Sequence, residues 1–378
     1  MLLRSMFAQN YRSLRSIRMD LSGINLFIGE NGVGKSNLYR ALQLIQAATR
    51  GRLAHEIAAE GGMFSALWSG PRRDADGPFR IRLETELLDE ERAITFRYRV
   101  EAGLRPPSAA AGFPFEPQIK AEELSIETGT RPVTIMKRAG PAISVRDQNG
   151  RMQDYPEQAL TSETAIALLG DAGHYPEIGT FRRAIDGWRF FHGFRTDRSS
   201  PLRAPCLAVT APLLDEDGAN IAAVFATLVH TREDTVDLDR AVVAALGGAR
   251  LVVPLPEETA EFGLSFPEFA NRVFQPRELS DGQIRFLGLA AALMSYRLPP
   301  LIALNEPEAS LHPDMLLPLA DMIADAARSS QIWIVTHSEP LAAAVCERCG
   351  ARARHVVRQD GATWIEGMRL TGVIDENE

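Results

Sequence analysis

Gly29-Glu30-Asn31-Gly32-Val33-Gly34-Lys35-Ser36 fits the pattern G-x-x-x-x-G-K-[ST]. Just before it, Gly23-Ile24-Asn25-Leu26-Phe27-Ile28 reads as a short buried strand, β-branched and aromatic, ending at Gly29. Just after it, Ser36 to Ala48 reads as a helix with Leu38, Ala41, Leu42 and Ile45 on one face. Glycines let such a loop wrap with its N–H groups pointing inward, and the following helix adds its N-terminal dipole, which together make a phosphate cradle. Lys35 is placed to supply a point charge to the outer phosphates, and Ser36 a hydroxyl to Mg²⁺. A glycine-rich turn with a chance Lys-Ser would carry the same letters; the strand–loop–helix context sets that reading aside. Lysine is otherwise nearly absent, with only Lys120 and Lys137 besides Lys35, so its presence here stands out.

The composition is compatible with a large core. The chain has 378 residues, 45% of them hydrophobic, enough for two lobes. No window reaches the ~18 consecutive apolar residues that a membrane helix requires. The net charge of −8 gives no global field drawing the chain to nucleic acid. The opening MLLRSMFAQNYRSLRSIRM is basic and free of acids, as a transit peptide is. That reading is rejected because the loop begins at Gly29, and the strand beside the loop's own strand is expected to come from this stretch. Cys206, Cys346 and Cys349 are too few and too scattered for a disulfide framework. The C-x-x-C of Cys346 and Cys349 lacks two further zinc ligands nearby, so reduced thiols in a cytoplasmic protein are expected.

Outward from the loop, Phe79 to Leu87 and Ala93 to Val100 read as an antiparallel pair separated by the acidic turn Asp89-Glu90-Glu91. The run from Gly103 to Pro117 is rich in Pro, Gly and Ala and reads as a loop. Ile119 to Glu127 and Ile143 to Tyr155 follow, the latter broken by the hairpin signal Asn149-Gly150. From about 158 to 275 the pattern turns mainly helical, as at Asn220 to His230 and Arg240 to Leu246. Alternation then returns, with a helix at 281–296, a strand at 300–305, a helix at 314–328, a strand at 331–336 and a closing hairpin at Asp360-Gly361. Strand–helix–strand alternation at both ends predicts a parallel-sheet α/β lobe assembled from 1–157 and 276–378, with 158–275 as a mainly helical insert.

A second motif narrows the class. Leu279-Ser280-Asp281-Gly282-Gln283 opens the helix carrying Ile284, Leu287 and Leu293. Locally it is a capping box, Ser280 as N-cap with Gln283 three residues on. Beyond it comes Leu298-Pro299-Pro300-Leu301-Ile302-Ala303-Leu304-Asn305-Glu306-Pro307, an apolar strand ending in a polar pair, and then Gln331 to Val335 ending in Thr336-His337-Ser338. A phosphate loop, LSDGQ, an apolar strand with a terminal acid and a strand with a terminal histidine, in that order, resemble ABC-type ATPases. There LSGGQ is the signature motif, the apolar strand is Walker B and the histidine is the switch. Asn10-Tyr11-Arg12-Ser13-Leu14, the loop form Gly29-Glu30-Asn31-Gly32 and the D-loop region Glu306-Pro307-Glu308-Ala309-Ser310-Leu311-His312-Pro313 are similar to the RecF/SMC-like group of bacterial "predicted ATPases". The resemblance is specific at 10–46 and 277–340. Phe194-Arg195 and Leu202-Arg203-Ala204-Pro205 are similar to a connecting segment of that group.

The resemblance implies an α/β P-loop NTPase fold of the ABC-type head, a mixed sheet with an antiparallel β subdomain and the helical insert. It also implies ATP and Mg²⁺ as ligands. Gly29, Gly32, Gly34, Lys35, Ser36 and Asn37 would hold the triphosphate, with Asn31 and Arg12 as helpers. Ser36 and Asn305 would lie in the metal shell. Ser280, Gly282 and Gln283 of a partner copy would complete the site, a well-capped helix N-terminus serving as an anion site. Glu306 would orient or deprotonate the attacking water and His337 would sense the γ-phosphate. Gln118 is the candidate for the Q-loop by order along the chain.

Two residues depart from the group's pattern. Asn305 stands where Walker B carries an aspartate, so an attraction to the metal of roughly a few kcal/mol, at an effective dielectric of about 20, is lost. Weaker Mg²⁺ binding and slow turnover are expected. Asp281 replaces a glycine and adds a negative charge close to the phosphates, which is expected to tune dimer closure.

The leading expectation is an ATPase switch that closes a head-to-tail homodimer on ATP in a DNA-repair or defence setting. The other is a nucleotide-binding scaffold with little hydrolysis. SMC heads carry long coiled coils that this chain lacks. Nucleases of the overcoming-lysogenization type carry a nuclease domain after the head, and the roughly 40 residues after His337 are too few for one. A transporter subunit is disfavoured by the RecF-like loop and D-loop sequences, and it would require a membrane partner for which no docking signature is seen. A protein partner is an open possibility. DNA contact through Arg182, Arg183, Arg189, Arg195, Arg198 and Arg203 stays open beside the equal alternative that these are solvated or structural arginines.

Overall fold

The computed structural model describes residues 1–71, 79–104, 113, 115–129, 131–155, 159–170, 174–232, 235–269, 271–369 and 372. The chain forms two compact units. One comprises Met1–Ser22, Gly29–Trp188 and Arg354–Glu378; the other comprises Gly23–Ile28 and Arg189–Ala353. The partition drawn from the sequence pattern, with boundaries at 157/158 and 275/276, remains a proposal about domains; these compact units cut the chain at other points.

The first unit is built on an antiparallel sheet of eight strands among the described residues. The strand Leu2–Tyr11 sits between Leu14–Asp20 and Arg80–Asp89. Ile94–Gly103, Gln118–Glu127, Pro132–Ala139, Ala142–Arg146 and Met152–Asp154 follow in chain order. Arg80–Asp89 shows why the sheet forms. Every second residue is buried, Ile81, Leu83, Thr85 and Leu87 among them. Arg82, Glu84 and Glu86 fall on the other face, as period-2 geometry requires. There Glu84 pairs with Arg18 at 2.6 Å and Glu86 with Arg97 at 2.9 Å. Glu86 and Arg97 are directly opposed, a pair worth about 0.2–1 kcal/mol that helps fix the register, whereas Arg18 reaches Glu84 over Phe7 of the strand between them.

On the buried face, Glu122 accepts the N–H groups of Ala165 and Ile166 at 2.6 and 2.9 Å and the Tyr98 hydroxyl at 2.9 Å. Burial pushes its carboxyl above the ordinary value despite those donors. The expected hairpins are both present. Gly150 has φ 78° between Ala142–Arg146 and Met152–Asp154, and Asp360-Gly361 joins Ala353–Gln359 to Ala362–Ile365. The Pro/Gly/Ala run over 103–117 falls largely outside the described residues.

The second unit carries a parallel sheet in the order Arg189–Phe191, Leu301–Asn305, Gln331–Thr336, Ile24–Ile28. Here one expectation is corrected. The strand leading into the phosphate loop pairs with Gln331–Thr336, not with the N-terminal stretch. The reason is geometric. Leu14–Asp20 spends its pairing on Leu2–Tyr11 in an antiparallel hairpin, and Gln331–Thr336 takes the side of Ile24–Ile28 in parallel register. The N-terminal strands join the antiparallel sheet of the first unit.

Around the parallel sheet, Ile302, Leu304, Ile332 and Ile334 pack with Ile284, Leu287, Ala291, Leu319, Ile323, Phe225 and Val242 in one core. The helix Asp281–Met294 is apolar nearly all round and buried from Ile284 to Leu293, the mark of a central helix. The stretch expected to be mainly helical holds helices at Ala165–Leu168, Pro176–Asp186, Ile221–Thr227 and Val236–Ala245. It also holds six described strands of two or three residues, too brief for alternation to reveal them. No helix among the described residues is long and apolar enough to cross a membrane.

Candidate functional site

In the first unit the loop after Ile28 takes the shape its glycines permit. Gly32 has φ 82° and Gly34 φ 101°, both in the left-handed region. A side chain on Gly34 would also collide with the Thr363 and Ser13 hydroxyls. A side chain on Gly29 would strike the Val356 carbonyl. Lys35 opens the helix Lys35–Thr49 and is 4% exposed. Its ammonium donates to the carbonyls of Gly29 and Glu30, the latter at 2.7 Å, so the loop holds its own lysine in place. Asn31, Gly32 and Ser36 are exposed at the loop rim.

Beneath the loop runs a relay the sequence did not reveal. Asn37 Nδ2 donates to Ser13 Oγ at 2.7 Å, Ser13 and Thr363 share a 2.6 Å hydroxyl bond, and Thr363 Oγ1 donates to the Val33 carbonyl at 2.9 Å. Because Thr363 gives its proton to Val33, Ser13 is the donor in the shared bond. Asn37 is thus engaged in bracing the loop from below.

Arg12 lies in the turn between the first two strands with φ 48°, and its guanidinium pairs with Glu60 at 3.0 Å. Glu60 also accepts the Tyr11 hydroxyl at 2.8 Å and an Arg40 N–H. Burial, reinforced by the Glu60 charge, holds the Tyr11 phenol far above its usual range, so it is a neutral donor. Gln118 begins its strand and accepts from Lys120 at 2.9 Å.

In the second unit the capping box is formed as expected. Gln283 N–H donates to Ser280 Oγ at 3.3 Å, and Ser280 N–H donates to Gln283 Oε1 at 2.9 Å. A Cβ on Gly282 would come within 2.8 Å of the Ser310 carbonyl, so the D-loop and the head of this helix are packed backbone to backbone. Asp281 is not a bare charge. Arg203, with a side chain only 7% exposed, pairs with it at 2.9 Å. The same guanidinium donates to the carbonyls of Pro276 at 2.6 Å, Leu279 at 2.8 Å and Thr196 at 2.8 Å.

At the end of Leu301–Asn305, the Asn305 side chain is 5% exposed and its Nδ2 donates to His192 Nδ1 at 2.7 Å. Asn305 Oδ1 is buried with no hydrogen-bond partner, and an orphaned acceptor of that kind suits a divalent cation or one of its waters. Glu306 turns the chain with φ 47°, its N–H donating to the Val335 carbonyl at 2.7 Å. Its carboxylate is a third exposed and stands 3.7 Å from His337 Nδ1.

Glu308 ties the cluster together. Its Oε1 accepts from Thr336 Oγ1 at 2.6 Å and from the His337 N–H at 3.0 Å, and lies 3.2 Å from His337 Nδ1. Arg285 donates to the Glu306 carbonyl at 3.0 Å. Burial lowers the proton affinity of this guanidinium, against the charges of Glu308 and Glu306.

The structure therefore brings Gly29, Gly32, Gly34, Lys35, Ser36 and Asn37 together in the first unit. It brings Asn305, Glu306 and His337 together in the second, where Ser280, Gly282 and Gln283 form the capped helix end. Arg12 is engaged with Glu60. Of the arginines considered for DNA, Arg203 is committed internally, Arg195 pairs with Asp197 at 3.0 Å, and Arg182 donates to the Thr49 carbonyl at 3.1 Å. Glu308 lies within the quoted D-loop stretch but received no role. Ser13 likewise lies within the quoted N-terminal stretch without a role of its own, and His192, Arg285 and Thr363 had no local signal at all.

The family model described as "AAA domain, putative AbiEii toxin, Type IV TA system" matches residues 24–344. Among solved structures, the chain is similar to an SmcHead bound to the C-winged helix domain of ScpA. That match has 14% identity and a TM-score of 0.54, covering 97% of each chain. It is also similar to an Smc head domain with an extended coiled coil bound to the C-terminal domain of ScpA, derived from Pyrococcus furiosus. There the identity is 14% and the TM-score 0.53, over 96% of this chain and 95% of that one. At such identity these likenesses show the fold, that of an ABC-type P-loop ATPase head. No curated protein matches the sequence.

Proposed function

Because the chain belongs to this AAA-domain family and is a nucleotide-binding ATPase, we propose that it is a Mg²⁺-dependent ATP switch whose site is completed head-to-tail by a second copy. The observation that carries the reading is the cluster at the end of the Walker B strand. Glu306 presents a partly exposed carboxylate from a left-handed backbone turn, with the His337 imidazole 3.7 Å away. A carboxylate so placed can orient or deprotonate water, and an imidazole beside it can sense a phosphate.

In this reading Lys35 leaves the Gly29 and Glu30 carbonyls for the outer phosphates, and the N–H groups of Gly32 and Gly34 line the cradle, with Gly29, Asn31, Asn37 and Arg12 at its edges. Ser36 and Asn305 would hold Mg²⁺, which neutralises phosphate charge when bound. Ser280 and Gly282 would offer a helix N-terminus to the γ-phosphate across the dimer, with Gln283 keeping Ser280 capped. Slow turnover fits Asn305, which brings an acceptor without a charge.

A second reading, a scaffold that holds ATP and hydrolyses little, is favoured by that same neutral Asn305. Rates of Mg²⁺-ATP hydrolysis across protein concentration, with Glu306→Gln alongside, separate the two. The switch predicts a rate rising more steeply than linearly and lost in the variant. Equal silence of both proteins with ATP still bound would establish the scaffold.

The family description names a putative toxin of a toxin–antitoxin system, which supports a defence setting over a DNA-repair one. The similar Smc heads are bound to ScpA domains, which supports a protein partner. DNA contact is a further proposal that rests on local arginines alone, of which Arg182, Arg195 and Arg203 are engaged within the chain. Three free thiols suit the cytoplasm.

A further inference from the structure

We propose that Arg203 is the positioning residue of the Ser280–Gln283 turn, and that Asp281 is its counter-ion and not a brake on closure. The inference rests on the composite-site reading above and adds to it the device that sets the signature turn. Four acceptors converge on one guanidinium: the Thr196, Pro276 and Leu279 carbonyls and the Asp281 carboxylate. The Leu279 carbonyl belongs to the residue just before the N-cap, and Asp281 to the first residue of the helix. The arginine thus grips the chain on both sides of Ser280. Its side chain is nearly buried, at 7% exposed, whereas that of Asp281 is 64% exposed. A planar fork of donors can hold several acceptors in fixed directions at once; an ammonium cannot.

The consequence concerns the sign of Asp281. A lone carboxylate at the head of a helix offered to a phosphate would repel it. Paired with Arg203, the acid is neutralised, and the helix N-terminus keeps its attraction for anions. Arg203 needs Asp281 in turn, since a buried guanidinium bound only to carbonyls lacks a compensating charge.

The test is ATPγS–Mg²⁺-driven dimerisation of the full chain by sedimentation, with ATP affinity measured separately under dilute, monomeric conditions. Arg203→Lys is expected to weaken dimerisation about tenfold or more while ATP affinity in the monomer stays unchanged. A purely structural lesion would lower both together. Asp281→Asn, at an exposed position that tolerates substitution, is expected to weaken dimerisation about threefold, the scale of a partly exposed ion pair. Stronger dimerisation in Asp281→Asn would show that the acid is a brake, and would overturn the proposal. So would wild-type dimerisation in Arg203→Lys. Ser280→Arg is the control for the underlying reading. If it dimerises like wild type, the composite site and this inference fall together; if it blocks dimerisation while Arg203→Lys does not, only this inference falls.

Discussion

Asn305 donates from Nδ2 to His192 Nδ1 at 2.7 Å and leaves its own Oδ1 buried and without a partner. An amide in that orientation has one direction fixed by the histidine and the other open. If the open side faces Mg²⁺, Asn305→Asp, held by His192 donating from Nδ1 in its other tautomer, adds a charge to the ligand and is expected to tighten metal binding about tenfold. Asn305→Ala is expected to weaken it by a similar factor. Mn²⁺ binding to the nucleotide-loaded protein, followed by electron paramagnetic resonance, reads both. Indifference of the metal to both changes would remove Asn305 from the metal shell.

Glu308 is expected to matter through His337. Its Oε1 takes the Thr336 hydroxyl and the His337 N–H, fixing where the imidazole stands. Glu308→Ala should lower hydrolysis about tenfold by loosening that geometry, with ATP affinity unchanged. Single-turnover rates beside equilibrium nucleotide binding separate the two. A fall in affinity with an unchanged rate would contradict the assignment.

Gly282 has no room for a methyl group, because the Ser310 carbonyl lies 2.8 Å from where it would sit. Gly282→Ala should cost about 1–3 kcal/mol of stability through overpacking. It should also displace the head of the helix and so weaken ATP-driven dimerisation. Urea denaturation and sedimentation read the two effects. Full stability would mean that the backbone contact yields without cost.

Tyr11 is buried and gives its hydroxyl to Glu60, which two arginines also hold. Tyr11→Phe removes one donor without stranding the carboxylate, so a loss of about 1–2 kcal/mol is expected in urea denaturation. A larger loss would mean that Arg12 and Arg40 cannot hold Glu60 without it.

The features legible in the sequence were those written locally. The phosphate loop lies between its strand and helix, and the Ser280–Gln283 box caps its own turn. Glu306 and His337 end apolar strands whose length and composition announce them. What escaped is long-range. Arg203 meets Asp281 across 78 positions, His192 meets Asn305 across 113, and Ser13 meets Thr363 across 350. No periodicity or propensity links such pairs; only the tertiary fold does. The same limit misplaced the neighbour of Ile24–Ile28, because alternation shows that a strand exists and not which strand it joins. Asp281 read as an uncompensated charge for the same reason.

The central claim is that each site is shared between two copies, and a mixing experiment tests it most directly. Lys35→Ala disables the loop and Ser280→Arg disables the signature turn, so each variant alone should hydrolyse no ATP. Mixed in equal amounts, half of the dimers pair one of each and rebuild one complete site, which predicts recovery to about a quarter of the wild-type rate. If the mixture stays as inactive as its parts while both variants remain folded and Ser280→Arg still binds ATP, the two copies do not share a site and the head-to-tail account is wrong.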